Sequence, residues 1–333
     1  MKVDQIPAVA GEKHQSTKRS TIKVGTRSSK LARLQTDIVI EQLRAHHPDR
    51  NFEIHMVTTG GDKNRSVPIA ELGSQGVFVK ELEDALLNHD VDIVVHSLKD
   101  LPSEMAKGLV LASVLTREDA RDVLISHGNL KFEDLPAGSR VATSSRRRAA
   151  QLRSWRQDLI FTDIRGNIPT RIQKHDDGEC DAIVLAAAGL IRLELTDRIA
   201  EYFDFERCVP AAGQGALAVE CRAVDEPLRD LLANIDDSTV RAEIEAERAL
   251  LSSLGGGCSV PIGAFAKAEG EQLVLIASVS SLDGTATVRM EMTGPIHDPE
   301  RLGKCLAQDV LKNGAETILY ALRASSPNAI SPP

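Results

Sequence analysis

Aromatic residues are scarce: one Trp, two Tyr and seven Phe in 333 residues. Proteins that stack unpaired bases need aromatic platforms, so the composition counts against that mode of nucleic-acid binding from the outset. Positive charge is also in short supply. Forty Lys and Arg face 48 Asp and Glu, a net charge of −8, the opposite of a general polyanion binder. No nucleic-acid partner is expected. Long apolar runs are missing too. The longest nearly unbroken one, Ala182–Ile191, has ten residues, about half the ~20 that a bilayer-spanning helix needs, so no membrane association is expected. Cysteine is sparse and unpaired in pattern. The five, at 180, 208, 221, 258 and 305, form no C-x-x-C pair, which argues against a disulfide framework or a structural zinc. No metal is expected, and reduced thiols point to a cytoplasmic compartment. Residues 1–20 are polar, with no apolar core of signal-peptide length. Asp4 and Glu12 count against a transit peptide. Residues 1–20 and 326–333 read as disordered tails.

Short apolar runs alternate with helical patterns from about residue 22 to 222. Val24, Ile54–Thr58 and Asp92–His96 read as strands. Leu31, Leu34, Ile38 and Leu43 mark one helix face, and Phe78, Leu82, Ala85 and Leu86 mark another. This is the βαβ rhythm of a mostly parallel sheet. It resumes with strands at Arg140–Thr143, Leu159–Ile164 and Asp181–Leu185. The two stretches also resemble each other. V-G-T-R-S-S-K-L-A (24–32) lies over V-A-T-S-S-R-R-R-A (141–149), and D-I-V-V (92–95) over D-A-I-V (181–184). A repeat this long predicts two similar α/β domains. The small residues of Pro210–Ala216 suit a hinge, after which the strand Leu217–Cys221 can return to the first domain. The expected organisation is residues 21–115 plus 216–235, then 120–210, then a smaller α+β domain over 238–325. That last domain reads as a helix from Thr239 to Leu254, strands near 260–267, 272–281 and 286–293, and a helix from Pro299 to about Arg323.

The charge is unevenly spread. Arg140 to Lys174 holds nine basic residues against Asp158 and Asp163. Ser144 or Ser145 is a good helix cap, yet Arg146, Arg147 and Arg148 follow in the first turn, where the helix dipole disfavours cations. A bound anion would reverse that sign; a solvated surface run is the simpler alternative. Thr26-Arg27-Ser28-Ser29-Lys30 repeats the arrangement, and Arg165 and Arg171 flank a third helix start. Cations at βα turns suit a small polyanion in a cleft, and guanidinium forks match carboxylates as well as phosphates. Asp100, in His96-Ser97-Leu98-Lys99-Asp100, would be a carboxylate among cations. It could stabilise a developing positive charge or hold ring N–H donors; a salt bridge or cap is the plain alternative. His96 reads as a satisfied core histidine. Cys258 follows three glycines and so stands on an open, flexible loop, where a thiolate can act as nucleophile. The other four cysteines read as core residues.

Taken in order, V-G-T-R-S-S-K-L-A, H-S-L-K-D-L-P, V-A-T-S-S-R-R-R, I-R-G-N-I-P-T-R, A-A-G-L-I-R-L, V-P-A-A-G-Q-G-A-L and G-G-G-C-S-V-P-I-G resemble the hydroxymethylbilane synthase (porphobilinogen deaminase) family over residues 22–323. The resemblance implies an α/β fold of two type II periplasmic-binding-protein-like domains plus a smaller C-terminal α+β domain. It implies a transferase that joins four porphobilinogen molecules head to tail, loses ammonia at each step, and releases linear hydroxymethylbilane. It implies a dipyrromethane cofactor bound through a thioether to Cys258, and a monomer. Asp100 and Lys99 match the catalytic pair. Thr143, Ser145, Arg147, Arg148 and Arg165, together with Lys99 and Asp100 themselves, match cofactor-binding positions. Arg27, Ser29, Phe78, Arg171, Arg192 and Gln214 match substrate-binding positions. Glu71 and Gln75 replace lysines common in the family, and Arg146 replaces a leucine.

Two rivals explain part of this. A non-catalytic clamshell protein for a small polyanion accounts for the repeat and the arginines, but not for Asp100 beside Lys99 or for a cysteine on a glycine loop. A phosphate-handling transferase lacks its phosphate-loop lysine.

Overall fold

Strands and helices alternate through two sheets of one design, seen in a computed structural model that describes residues 21–58, 79–256 and 260–324. The first sheet holds β1 (Thr21–Arg27), β2 (Asn51–Val57), β3 (Ile93–Ser97), β4 (Leu109–Val114) and β10 (Leu217–Arg222), in the order β2-β1-β3-β10-β4. β1 is parallel to β2 and β3, whereas β10 runs antiparallel to β3 and β4. The second sheet holds β5 (Asp122–Ser126), β6 (Arg140–Ala142), β7 (Ile160–Thr162), β8 (Ala182–Ala186) and β9 (Glu201–Tyr202), in the order β7-β6-β8-β5-β9. β6 is parallel to β7 and β8, and β5 runs antiparallel to β8 and β9. The two orders match strand for strand. Each lobe receives its antiparallel strand from a chain segment that has just crossed over from the other lobe. That is the two-crossover clamshell of periplasmic-binding-protein-like folds.

The local causes are visible in the caps. Helix α1 (Lys30–His46) starts where the Ser29 hydroxyl accepts from Ala32 N at 3.2 Å. Helix α2 is Lys80–Leu87. Helix α3 (Arg146–Trp155) is capped by Ser145, which accepts from Arg148 N. Helix α4 (Ile168–Asp176) is capped by Asn167, with Pro169 in its first turn. The apolar run at 182–191 is not one element: its strand β8 passes directly into the short helix α5 (Ala187–Arg192). After β10 come α6 (Glu226–Leu232) and α7 (Ser238–Ser253), the latter capped by Asp237 on Thr239 N and Val240 N. Cores of Ile, Leu and Val separate cleanly between the lobes: Val24, Ile93 and Val219 in the first, Ile125, Ile183 and Leu190 in the second.

The C-terminal unit is a three-stranded antiparallel sheet of β11 (Ile262–Glu269), β12 (Gln272–Ser280) and β13 (Thr287–Pro295). Helix α8 (Pro299–Val310) packs Leu302, Leu306 and Val310 into one cluster with Leu273, Leu275 and Ala277. Each Leu or Val of this cluster contributes about 1.5–3 kcal/mol on burial. The single helix expected over 299–323 is two. A π turn at Leu311–Ala315, where Asn313 and Gly314 leave helical geometry, separates α8 from α9 (Glu316–Ala324). Cys305 is only partly buried, unlike Cys180, Cys208 and Cys221, because it lies outside the α8 stripe that meets the sheet. Among the described residues no helix is long and apolar enough to cross a membrane.

Candidate active site

The C-terminal ends of the parallel strands in both lobes carry the cationic turns, the usual ligand edge of an open α/β sheet. Arg27 and Ser29 lie between β1 and α1, and Lys99 and Asp100 in a short 3-10 turn after β3. Thr143–Arg148 lie between β6 and α3, Arg165 and Arg171 around the start of α4, and Arg192 at the end of α5. The lobes touch here: Leu31 Cδ2 lies 3.7 Å from where a Cβ on Gly189 would stand.

Asp122, the first residue of β5, organises the second lobe's share. Its Oδ2 accepts from Arg147 Nη1 at 2.7 Å, and its Oδ1 accepts from Arg148 Nε and from Gln214 Nε2, both at 2.8 Å. The Cys208 thiol also donates to it at 3.3 Å. Burial alone would raise the Asp122 pKa, but Arg147 and Arg148 overcome this and hold the carboxyl far below the usual range. Arg147 is further committed to the Val209 carbonyl at 2.7 Å. The frustrated first turn of α3 is therefore relieved from inside the protein. Arg147 and Arg148 both belong to this buried ion-pair network, so a carboxylate of the protein itself already offsets part of the cationic charge at the start of α3.

Gln214, from the returning crossover, bridges the lobes. Its Oε1 accepts from Lys99 Nζ of the first lobe and from Arg148 Nη2 of the second, each at 3.4 Å. Burial, and then the facing Arg148, push the Lys99 ammonium down to about 8. Burial, Arg148 and Arg165 push Arg171 down to about 10, and Asp100 opposes them. Arg171 donates through Nε to the Gly166 carbonyl at 2.7 Å, and Arg165 has no hydrogen bond among the described residues. The Ser144 hydroxyl donates to Ile164 O at 2.6 Å, tying the turn before α3 to the turn that holds Arg165. The Thr143 hydroxyl accepts from Ser145 N at 3.2 Å. Asp100 is half-buried, and its carboxylate accepts no hydrogen bond from the described residues. The result is Lys99, Arg147, Arg148, Arg165 and Arg171 around two carboxylates, one of which is fully engaged.

Other expected residues stand apart. Arg192 donates to the Gly215 carbonyl at 2.7 Å, so it meets the crossover rather than the Asp100 cluster. Phe78, Cys258, Glu71 and Gln75 lie outside the described residues. Arg146 is exposed. His96 is buried against Glu220, with 3.1 Å between Nε2 and Oε2, in line with the core reading. Sequence reasoning missed Asp122, Arg117 and Glu247. The Glu247 carboxylate accepts from Arg117 at 2.6 and 3.2 Å, from Gly213 N at 2.7 Å and from Ala266 N at 2.8 Å. Arg117 Nε also donates to the Gln214 carbonyl at 2.9 Å. Both crossovers are thereby pinned to α7 and β11. The one signal available was acids embedded in apolar strand and helix patterns.

The family comparison closes the question of kinship. Residues 22–230 match the dipyromethane cofactor binding domain of porphobilinogen deaminase, and 241–312 match that family's C-terminal domain. The chain belongs to the porphobilinogen deaminase family. A porphobilinogen deaminase of Desulforudis audaxviator is 47% identical over 308 residues, covering 92% of this chain and all of that protein. Those of Syntrophus aciditrophicus and Geobacter metallireducens are 42% and 45% identical, over 92% and 90% of this chain and 100% and 93% of theirs. Among solved structures, the periplasmic VFT2 domain of Bordetella pertussis BvgS aligns with 65% of this chain and 86% of its own, at 16% identity and a TM-score of 0.40. A likeness that weak carries no argument, and the fold rests on the sheet orders. The porphobilinogen deaminase match spans both lobes, so the cationic cluster lies within the part of the chain assigned to cofactor binding.

Proposed function

We propose that this enzyme is a hydroxymethylbilane synthase, a transferase that condenses four porphobilinogen molecules with loss of ammonia and releases the linear tetrapyrrole. The observation that carries the reading is Asp100: a half-buried carboxylate with no hydrogen-bond donor among the described residues, set among Lys99, Arg148, Arg165 and Arg171. Each pyrrole of this class carries two carboxylates and one ring N–H. The cations fit the former and the open carboxylate fits the latter, so the donor set suits a dipyrromethane as well as its substrate. When bound, the dipyrromethane supplies the pyrrole end to which each new unit is joined. Lys99, Arg165 and Arg171 hold side-chain carboxylates, with Arg27, Ser29 and Arg192 at the margins of the cleft. Arg148, steadied by Asp122, presents its remaining donors beside Gln214, while Arg147 and the Thr143–Ser145 turn set its position. Asp100 accepts from ring N–H groups and stabilises the positive charge that develops on the substrate as ammonia departs. Cys258 is the proposed thioether attachment.

The test is the intact mass of the purified protein. The expected result is a covalent addition of two pyrrole units, absent from Cys258→Ser. An unmodified mass in protein made with porphobilinogen available would overturn the reading in favour of a polyanion-binding clamshell.

A further inference from the structure

Glu220 is a charge in a strand that needs none. It lies within Leu217-Ala218-Val219-Glu220-Cys221, all of it buried, in the strand of the first sheet that sits between β3 and β4. Its side chain is fully enclosed. Oε2 takes a hydrogen bond from His96 Nε2 at 3.1 Å, and Oε1 has no partner among the described residues. A buried ion pair is often replaceable by packed apolar residues at no loss of stability, so stability does not explain this carboxylate.

Its neighbours do. His96 stands four residues before Asp100 on the same strand-to-turn segment. On the other side, Arg248 of α7 donates through Nη2 to the carbonyls of Pro102 and Ser103, both at 2.8 Å. Burial lowers the Arg248 pKa, and the charge of Glu220 opposes this. Glu83 of α2 faces the same cluster; burial first, and Glu220 next, raise its pKa. The buried His96–Glu220 pair thus stands just ahead of the turn that carries Lys99 and Asp100, and the Arg248 contacts just behind it.

We propose that Glu220 is a positioning residue for Asp100: it fixes His96 just ahead of the turn, while Arg248 independently clamps the carbonyls behind it. Glu220 touches no substrate. The inference rests on the reading of Asp100 given above, and its test separates the two.

Glu220→Gln keeps the shape and removes the charge. In the whole chain, amide hydrogen exchange over residues 97–103 is expected to quicken about tenfold in this variant, with β12 unchanged. The kcat for porphobilinogen consumption is expected to fall about tenfold with KM unaltered, because misplacement of a catalytic group acts on turnover. Wild-type exchange over 97–103 overturns the proposal, as does a rise in KM at unchanged kcat. His96→Leu is read in the same two ways and decides the matter if Glu220→Gln does not fold, and His96→Gln should restore part of the loss. Asp100→Ala is assayed alongside. If it retains turnover, the reading of Asp100 fails and the exchange result still judges Glu220. If it is inactive while Glu220→Gln matches wild type in both readouts, the positioning role alone falls.

Discussion

Arg147 and Arg165 occupy equivalent-looking turns, yet their surroundings separate them. Arg147 is 5% exposed and bound to Asp122 and Val209, whereas Arg165 makes no hydrogen bond among the described residues. Arg147→Ala strands part of a buried carboxylate's charge and should lower the unfolding free energy by about 3 kcal/mol in a urea titration. Arg165→Ala should leave stability unchanged and raise KM; equal destabilisation by both would erase the distinction. Lys99 offers a second prediction. Its ammonium titrates near 8 rather than at the ordinary 10.5, so its charge is present below that pH and lost above it. Bound carboxylates favour the charged form, so affinity should weaken as pH rises through about 8. KM against pH should show that rise in wild type and lose it in Lys99→Met. Thiol reactivity follows from the same kind of burial: Cys180 and Cys221 are each pushed up to about 11. Much of this was legible. Turn residues announce themselves by spacing from a strand end, so Lys99, Asp100 and Arg165 could be named from sequence. Asp122 could not, because its partners Arg147 and Gln214 lie 25 and 92 positions away, and nothing local tells a buried Arg from a solvated one.

At the scale of elements, the crossover Pro210–Ala216 is held to one path by its glycines. Gly213 has φ 76° and Gly215 φ 93°. A Cβ on Gly213 would overlap the Leu98 side chain, and one on Gly215 would overlap the Glu118 carbonyl. Leu98 begins the turn that holds Lys99 and Asp100. Gly213→Ala should therefore combine backbone strain of about 1–2 kcal/mol with reduced turnover. Gly270, φ 64° with open space around it, supplies the comparison: Gly270→Ala should show the strain without the loss of activity. Identical activity in the two variants would refute the steric argument. Strands were readable from their apolar runs, and the returning strand β10 from the small residues before it. The break at Leu311–Ala315 was not, because Leu311, Ala315 and Ile318 sustain a helical apolar pattern straight through Asn313 and Gly314.

For the whole molecule, Glu247 is where the two lobes and the C-terminal unit meet. Its carboxylate serves Arg117 and Gly213 from the crossovers and Ala266 from β11. Among the described residues, Glu247→Ala leaves Arg117 buried with only Glu243, 3.6 Å away, as an ionic partner. The expected result is a loss of about 3 kcal/mol and a calorimetric transition that splits as the C-terminal unit uncouples. A single, unshifted transition would exclude Glu247 as the link. The interleaving of the sheets has a further consequence for how the chain is born. Synthesis runs from the N-terminus, and domains close as their parts emerge. All five strands of the second sheet, residues 122–202, leave the ribosome before β10 exists. The lobe made first is therefore the later of the two to close. Until Leu217–Arg222 arrives, its nascent form holds an open slot between β3 and β4, and the unpaired edges of that slot are what a chaperone would meet.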